Sequence, residues 1–267
     1  MNKQKLYAII DGASEEELMP MLAKLDPPAT CLYAPPIQPD LVDIAPYVVL
    51  VDDDVKEWLD ARETPWGIYI TTDADLKTIR SHLRKYLYVL LPDSDKPVFF
   101  RFYDPRNIWM LTSVLTDWEL HSFMGPIEKI ETNFKGTNHA DTFATRRKQY
   151  PQDAVSNKSI MSLTQEQYDE MIKDFEKRYI KKLAKQIPEN DESIPEEFAS
   201  KIFYYLKKLG IDDDRSIRGI TTLLTENECY SILSMPREYK TRLEDTSTPG
   251  YYRVERLLLD ELGSVPE

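Results

Sequence analysis

Three charged residues in one short stretch are the first candidates for chemistry: Arg101, Asp104 and Arg106, within Val98–Arg106 (Val-Phe-Phe-Arg-Phe-Tyr-Asp-Pro-Arg). Val98 to Tyr103 are β-branched or aromatic apart from Arg101, which is strand composition. A side-chain period of two places Val98, Phe100 and Phe102 on one face and Phe99, Arg101 and Tyr103 on the other. Asp104-Pro105 then ends the strand and opens a helix. Asp accepts from the N–H groups of a first turn, and Pro fits the first helical position. This arrangement puts Arg101, Asp104 and Arg106 in one polar site at the C-terminal edge of a sheet, where open α/β sheets bind ligands. The plainer alternative is an ion pair that fixes the strand–helix corner, the commoner use of an Asp near a helix start.

Other reactive groups are sparse. His82, His121 and His139 are the three histidines, and none stands in a metal-ligand spacing. No Ser lies in a G-x-S-x-G elbow, and the eight glycines form neither a G-x-G-x-x-G nor a P-loop pattern. Asp52-Asp53-Asp54 follow a strand pattern and could hold a divalent cation. Such a run is more often a helix N-terminus whose acids face the positive end of the dipole, and Val55–Ala61 reads as the helix it would cap. Asp11 and Asp104, both at expected strand ends, are candidate paired carboxylates, although caps use the same residues. Cys31 and Cys229 are far apart in sequence and read as free thiols in a reducing compartment. The expectation is a protein without a catalytic centre, metal site or cofactor.

The chain has 267 residues, 42% hydrophobic and 30% charged, enough to bury a sizeable core in one large or two smaller domains. Net charge is −12, and Met1–Ile130 holds 13 Lys and Arg against 21 Asp and Glu. An acidic first half argues against nucleic-acid binding, which needs clustered Lys and Arg. The start runs directly into a strand pattern, with no signal-peptide core and no long apolar run. A cytoplasmic protein without membrane insertion is therefore expected.

The elements that would position these groups begin with apolar runs at Leu6–Ile10, Thr30–Tyr33, Tyr47–Val51 and Trp66–Ile70, read as strands. Ser14 with Glu17, Thr72 with Asp75, and Thr116 with Glu119 read as capping boxes for helices at Glu15–Lys24, Asp73–Tyr86 and up to Phe123. On the second of these Leu76, Ile79, Leu83 and Leu87 face inward, while Lys77, Arg80, Arg84 and Lys85 form a basic outer face. One helical turn is expected at Asp40–Ile44 and a helix at Asn107–Leu115. Leu87–Leu91 and Lys96–Tyr103 read as a hairpin, and Ile127–Ile130 as a further strand. From Thr164 the period is helical. Helices follow Thr164, start at Pro195 and near Asp212-Asp213-Asp214, run from a Thr225 cap towards Pro236, and cover Tyr252–Leu262; Pro188–Ser193 reads as a turn. The fold class is thus an α/β N-terminal lobe, a mixed sheet with flanking helices, followed by an all-α C-terminal lobe. The boundaries are an α/β lobe at 1–132, a linker or crossing segment at 133–163 and a helical lobe at 164–267. Phe203, Tyr204 and Tyr205 are consecutive, so on a helix they cannot all face one core, and at least one must point outward.

Five segments together resemble a known family. They are Leu6–Ala13, Ile44–Val49 (Ile-Ala-Pro-Tyr-Val-Val), Trp66–Ile70 with Leu76 to Lys85, Phe100–Arg106 (Phe-Arg-Phe-Tyr-Asp-Pro-Arg), and Phe123–Pro126 (Phe-Met-Gly-Pro). In order and spacing they are similar to the bacterial type VI secretion adaptor family, formerly a domain of unknown function. The resemblance covers about Leu6–Ile130. It implies an effector chaperone that binds a toxic effector protein and helps load it onto the VgrG spike protein, with no catalytic role. Partner contact is then expected at Arg101, Tyr103, Asp104 and Arg106, and on the helical lobe at Phe203, Tyr204 and Tyr205, since aromatic anchors dominate interfaces. A cleft between the lobes would grip the effector. Two other readings compete. One is an α/β enzyme with an acidic site at Asp11, Asp52 and Asp104. The other is an immunity or regulatory protein whose acidic lobe neutralises a basic toxin.

Overall fold

The computed structural model describes residues 4–151, 154, 156, 158–187 and 193–264, with the backbone alone at 193 and 194. The chain divides into two compact units, 1–171 and 172–267.

The first unit opens with strand β1 (Lys5–Asp11), helix α1 (Leu18–Leu25), β2 (Ala29–Cys31), α2 (Pro39–Val42), β3 (Pro46–Leu50), α3 (Asp53–Asp60), β4 (Gly67–Thr72) and α4 (Leu76–Leu83). It continues with β5 (Tyr88–Leu90), β6 (Val98–Phe99), α5 (Ile108–Val114), α6 (Asp117–Met124), β7 (Lys129–Phe134), β8 (Thr137–Asp141), α7 (Ala144–Arg147) and β9 (Met161–Ser162). Six strands form one sheet in the order β2-β3-β1-β4-β7-β8, antiparallel throughout. A second sheet, β6-β5-β9, is mixed: β5 runs antiparallel to β6 and parallel to β9.

The apolar runs of β1, β3 and β4 are continuous because both faces of the large sheet are covered. Tyr7, Ile9, Val48, Ile68 and Ile70 share one cluster with Ile79 and Leu83 of α4 and Phe123 of α6. Their sequence neighbours Ala8, Ile10, Val49 and Tyr69 point the other way, onto Leu18 and Met21 of α1 and Val55 and Leu59 of α3. The period of two in the strands thus produces two cores from one sheet. Gly67 is required where β4 enters beside β1: its φ is +151° and a Cβ there would lie 1.8 Å from the Ile9 carbonyl oxygen.

The strand expected over Val98–Tyr103 stops at Phe99. The Phe102 N–H donates to the Phe100 carbonyl at 3.0 Å, and the turn at Arg101 sends both Phe102 and Tyr103 into the core instead of to opposite faces. Burying a second aromatic side chain is worth about 1.5–3 kcal/mol, against about 0.5–1.5 kcal/mol for each ladder hydrogen bond given up. The following helix starts at Ile108, not at Pro105. Asp104 closes the intervening turn: its carbonyl accepts from Asn107 and Ile108.

Other expectations are corrected. Ser14 and Glu17 form no capping box; Ser14 Oγ donates to Asp11 Oδ2 at 3.0 Å, and α1 begins without a side-chain cap. The expected 73–86 helix starts at Leu76, capped by Asp75, whose carboxylate accepts from Thr78 N–H. Thr72 Oγ1 instead donates to the Pro126 carbonyl at 2.6 Å. The Thr116–Glu119 capping box is present on α6. Part of the 133–163 segment expected as a linker belongs to the large sheet, since β8 pairs with β7 from Ile130↔Asp141 to Phe134↔Thr137.

Among the described residues from 165 onwards every regular element is a helix. Helix α8 (Gln165–Ala184) spans the division between the units, and α9 (Ser193–Lys208), α10 (Asp214–Glu226), α11 (Arg237–Glu244) and α12 (Gly250–Leu262) follow. Phe198, Ile202, Leu206, Ile217, Ile220, Leu224, Val254, Leu257 and Leu258 fill the core of the second unit. Asp213 caps α10 through Ser216 N–H. Thr225 caps nothing; it lies in the last turn of α10 and donates to Thr222, and the next helix begins only at Arg237. The expected 188–193 turn lies outside the described residues except for Ser193, which opens α9.

Candidate functional site

Two Asp–Arg pairs meet at the end of β1. Asp11 is the last residue of that strand, held by a bond from its N–H to the Trp66 carbonyl at 2.7 Å. Its carboxylate, 1% exposed, accepts from Ala13 N–H at 3.2 Å and Ser14 Oγ, and lies 3.3 Å from Arg101 Nη1. Burial pushes the Asp11 carboxyl above its usual range; Arg101, Ser14 and Ala13 oppose the shift, and the neighbouring Asp104 adds to it. Asp104, 5% exposed, accepts from Arg106 four times: from the backbone N–H at 2.8 Å, from Nε at 2.9 and 3.1 Å, and from Nη2 at 2.6 Å. That pairing holds the Arg106 guanidinium firmly charged.

The acids are therefore inside and the bases outside: the Arg101 and Arg106 side chains are 37% and 47% exposed. Aromatic rings border them. Phe99 packs edge-on against Tyr33 at 5.9 Å and Tyr88 at 5.7 Å. Tyr103 does not share that surface. It is fully buried against Phe102, and burial raises its hydroxyl pKa. Tyr103, expected as a contact residue, packs in the core of the first unit.

The expected site thus splits. Asp104 with Arg106 is the local ion pair of a turn, whereas Arg101 reaches 90 residues back to Asp11. Neither lies at a C-terminal sheet edge in the α/β sense, because the large sheet is antiparallel. Asp52, the third acid of the alternative enzyme site, accepts from Val55 N–H at 2.9 Å as the cap of α3. Among the described residues no group of three His, Cys, Asp or Glu is placed to hold a metal ion.

The Phe123–Pro126 motif has a structural partner. Gly125 has φ +47°, and a Cβ on it would lie 2.3 Å from the His82 ring. His82 Nε2 meets the Phe123 carbonyl at 2.7 Å, and Tyr86 Oη donates to the Ser122 carbonyl at 2.6 Å. Burial drives the His82 imidazole down to about 4, so Nε2 is the donor in the neutral ring. Arg147 donates to the Ile127 and Gly125 carbonyls at 2.9 and 3.2 Å. Its neighbour Arg146 donates to Asp117 and to the Thr112 and Leu115 carbonyls at the end of α5. The role of these tandem arginines carries no sequence signal beyond their position in the supposed linker. A groove of about 1000 Å³ runs beside this motif, lined by Lys77, Ser81, Lys85, Trp118 and Glu128 among others; Arg101, Asp104 and Arg106 take no part in it. The basic face expected on α4 is divided, since Arg80 turns to donate to the Cys31 and Tyr33 carbonyls.

On α9 the three aromatics diverge as their spacing requires. Phe203 is buried, Tyr205 is half-buried and donates to Glu244 at 3.0 Å, and Tyr204 is 48% exposed and donates to Glu176 at 3.1 Å.

Residues 6–122 match the family described as a domain of unknown function (DUF4123). The matched region, a little under half of the chain, runs from β1 into α6 and contains both Asp–Arg pairs and His82. No curated protein and no solved structure matches the chain. Among the described residues no helix is long and apolar enough to cross a membrane.

Proposed function

We propose that the protein is a type VI secretion adaptor that binds a toxic effector and assists its loading onto a VgrG spike protein, acting by binding and not by catalysis. The observation that carries this reading is the DUF4123 match over 6–122, which covers four of the five segments whose motifs resemble that adaptor family and ends just before Phe123–Pro126. The structure is compatible with it in a specific way. The most distinctive motif, Phe100–Arg106, presents two half-exposed guanidiniums beside an exposed aromatic cluster, and α9 presents Tyr204. Arg and Tyr are the residue types enriched at interface anchors.

The test is to tag the chain in its native host and identify co-purifying proteins by mass spectrometry. The expected result is a toxin-like effector together with a VgrG-type protein. Recovery of no secretion component would overturn the reading.

A further inference from the structure

The small sheet has an open edge next to Arg101. Phe100 N–H donates to the Leu87 carbonyl at 2.8 Å, and β6 pairs with β5 through Tyr88↔Phe99 and Val89↔Val98. In an antiparallel ladder the residue between two such bonded positions turns its N–H and C=O to the opposite side. That residue is Phe99. Among the described residues nothing is hydrogen-bonded to the Phe99 N–H, the Phe99 C=O or the Arg101 N–H. Pro97, two residues before, brings no N–H to this edge, so the open ladder begins at Phe99.

Unpaired edges of this kind accept a strand from another chain unless charge, bulges or cover prevent it. Here the flanking features invite one. Val98, Phe99 and Tyr88 are exposed apolar side chains that a neighbouring strand would cover. At the Arg101 end the guanidiniums of Arg101 and Arg106 are half exposed while the Asp11 and Asp104 carboxylates they pair with are buried; at the other end the turn before Val98 carries exposed Asp93, Asp95 and Lys96. A protein of net charge −12 thus shows exposed guanidiniums at the Arg101 end of this edge.

We propose that the outer edge of β6 accepts an extended, acidic segment of a partner protein as an added strand, with a carboxylate of that segment meeting Arg101. That the partner is secreted cargo rests on the adaptor reading above; the strand addition does not.

The probe is the peptide Ac-Glu-Val-Glu-Val-Glu-Val-NH2 with the full-length protein, and Ac-Lys-Val-Lys-Val-Lys-Val-NH2 as its charge-reversed control. Fluorescence anisotropy measures binding, and hydrogen exchange reads the 98–101 amides. The Glu peptide should bind and slow exchange at 98–101, while the Lys peptide should not bind. Phe99→Pro removes the outward N–H without touching the β5 ladder and should weaken binding about tenfold, whereas Phe99→Leu should stay within about threefold. Equal binding of both peptides, protection confined to other segments, no binding, or wild-type affinity in Phe99→Pro each overturns the proposal. So does dimerisation through β6, which would make a second copy the occupant. If Phe99→Pro melts early, the comparison of the two peptides still decides. Applying the two Phe99 variants to the co-purified effector separates the claims. Effector retained by Phe99→Pro refutes the edge and leaves the adaptor. Peptide binding at β6 with no secretion protein recovered refutes the adaptor and leaves the edge.

Discussion

Arg101 Nη1 lies 3.3 Å from Asp11 Oδ2, joining the turn after β6 to the end of the central strand β1. Asp11 is almost wholly buried and Arg101 is its cationic partner, so removing the guanidinium leaves a buried carboxylate facing Asp104. Arg101→Ala is expected to cost about 1–3 kcal/mol in urea unfolding at neutral pH. The pH dependence has a definite sign. Asp11 already titrates above its unfolded value, so its charged form opposes folding, and stability falls as pH rises through the folded pKa. Without Arg101 that pKa rises further. The penalty of Arg101→Ala should therefore shrink on acidification into the range where Asp11 is protonated. A penalty that grows on acidification would show that the pair does not hold Asp11 charged.

His82 predicts the opposite slope. Its folded pKa of about 4 lies below the unfolded value of about 6.5, so the folded state binds fewer protons between these limits. The stability it contributes is complete above pH about 6.5 and is lost as pH falls towards 4. His82→Gln should flatten the unfolding free energy across that window by about 1–3 kcal/mol relative to wild type.

Gly125 and His82 occupy adjoining space, which makes the glycine of the Phe-Met-Gly-Pro motif obligatory. Gly125→Ala meets both an unfavourable φ of +47° and the imidazole ring 2.3 Å from the new Cβ. A loss of at least about 1–3 kcal/mol is expected. Combining it with His82→Ala, which vacates the space, should recover part of that loss in thermal unfolding, leaving only the backbone cost.

How much of this was legible in the sequence follows from how local each signal is. Strands β1, β3 and β4 were readable because burial on both faces leaves a continuous apolar run, and α6 because its capping box spans four residues. Strand β8 was hidden: Thr137–Asp141 is an exposed edge strand with no apolar alternation. Helix α11 buries only Tyr239 and Leu243 and shows too narrow a stripe. The Phe100–Arg106 stretch misled for a different reason, since its alternation was overridden by the gain from burying Phe102 and Tyr103 together. The Asp104–Arg106 pair was visible at a spacing of two, while the Arg101–Asp11 pair, 90 residues apart, left no local trace.

Arg253 predicts the behaviour of the second unit. It is buried and donates through Nη2 to the Leu209 carbonyl at 2.6 Å and through Nη1 to the Leu243 carbonyl, bridging the ends of two helices. Arg253→Met keeps the apolar stem but strands the buried Leu243 carbonyl and the partly buried Leu209 carbonyl, at an expected cost of about 2–4 kcal/mol. Arg253→Lys should rescue little, because a single ammonium cannot reproduce the guanidinium fork. Urea unfolding of the three proteins checks the order.

Tyr204 and Phe203 separate partner binding from packing on neighbouring positions of α9. Phe203 lies in the core of the second unit, so Phe203→Ala should cost about 3–5 kcal/mol. Tyr204 is about half exposed and its hydroxyl donates to Glu176, so Tyr204→Ala should change unfolding by less than about 0.5 kcal/mol. If α9 presents a partner-binding face, Tyr204→Ala lowers effector affinity in pull-down titrations while the melting temperature stays put, by the 10-fold or more that marks an aromatic anchor. A large fall in melting temperature with intact binding would assign Tyr204 to packing and remove α9 from the partner surface. The Lys207–Glu176 ion pair sits beside the same hydroxyl, so Glu176→Gln should reproduce part of the binding loss only if the orientation of the Tyr204 ring matters to the partner.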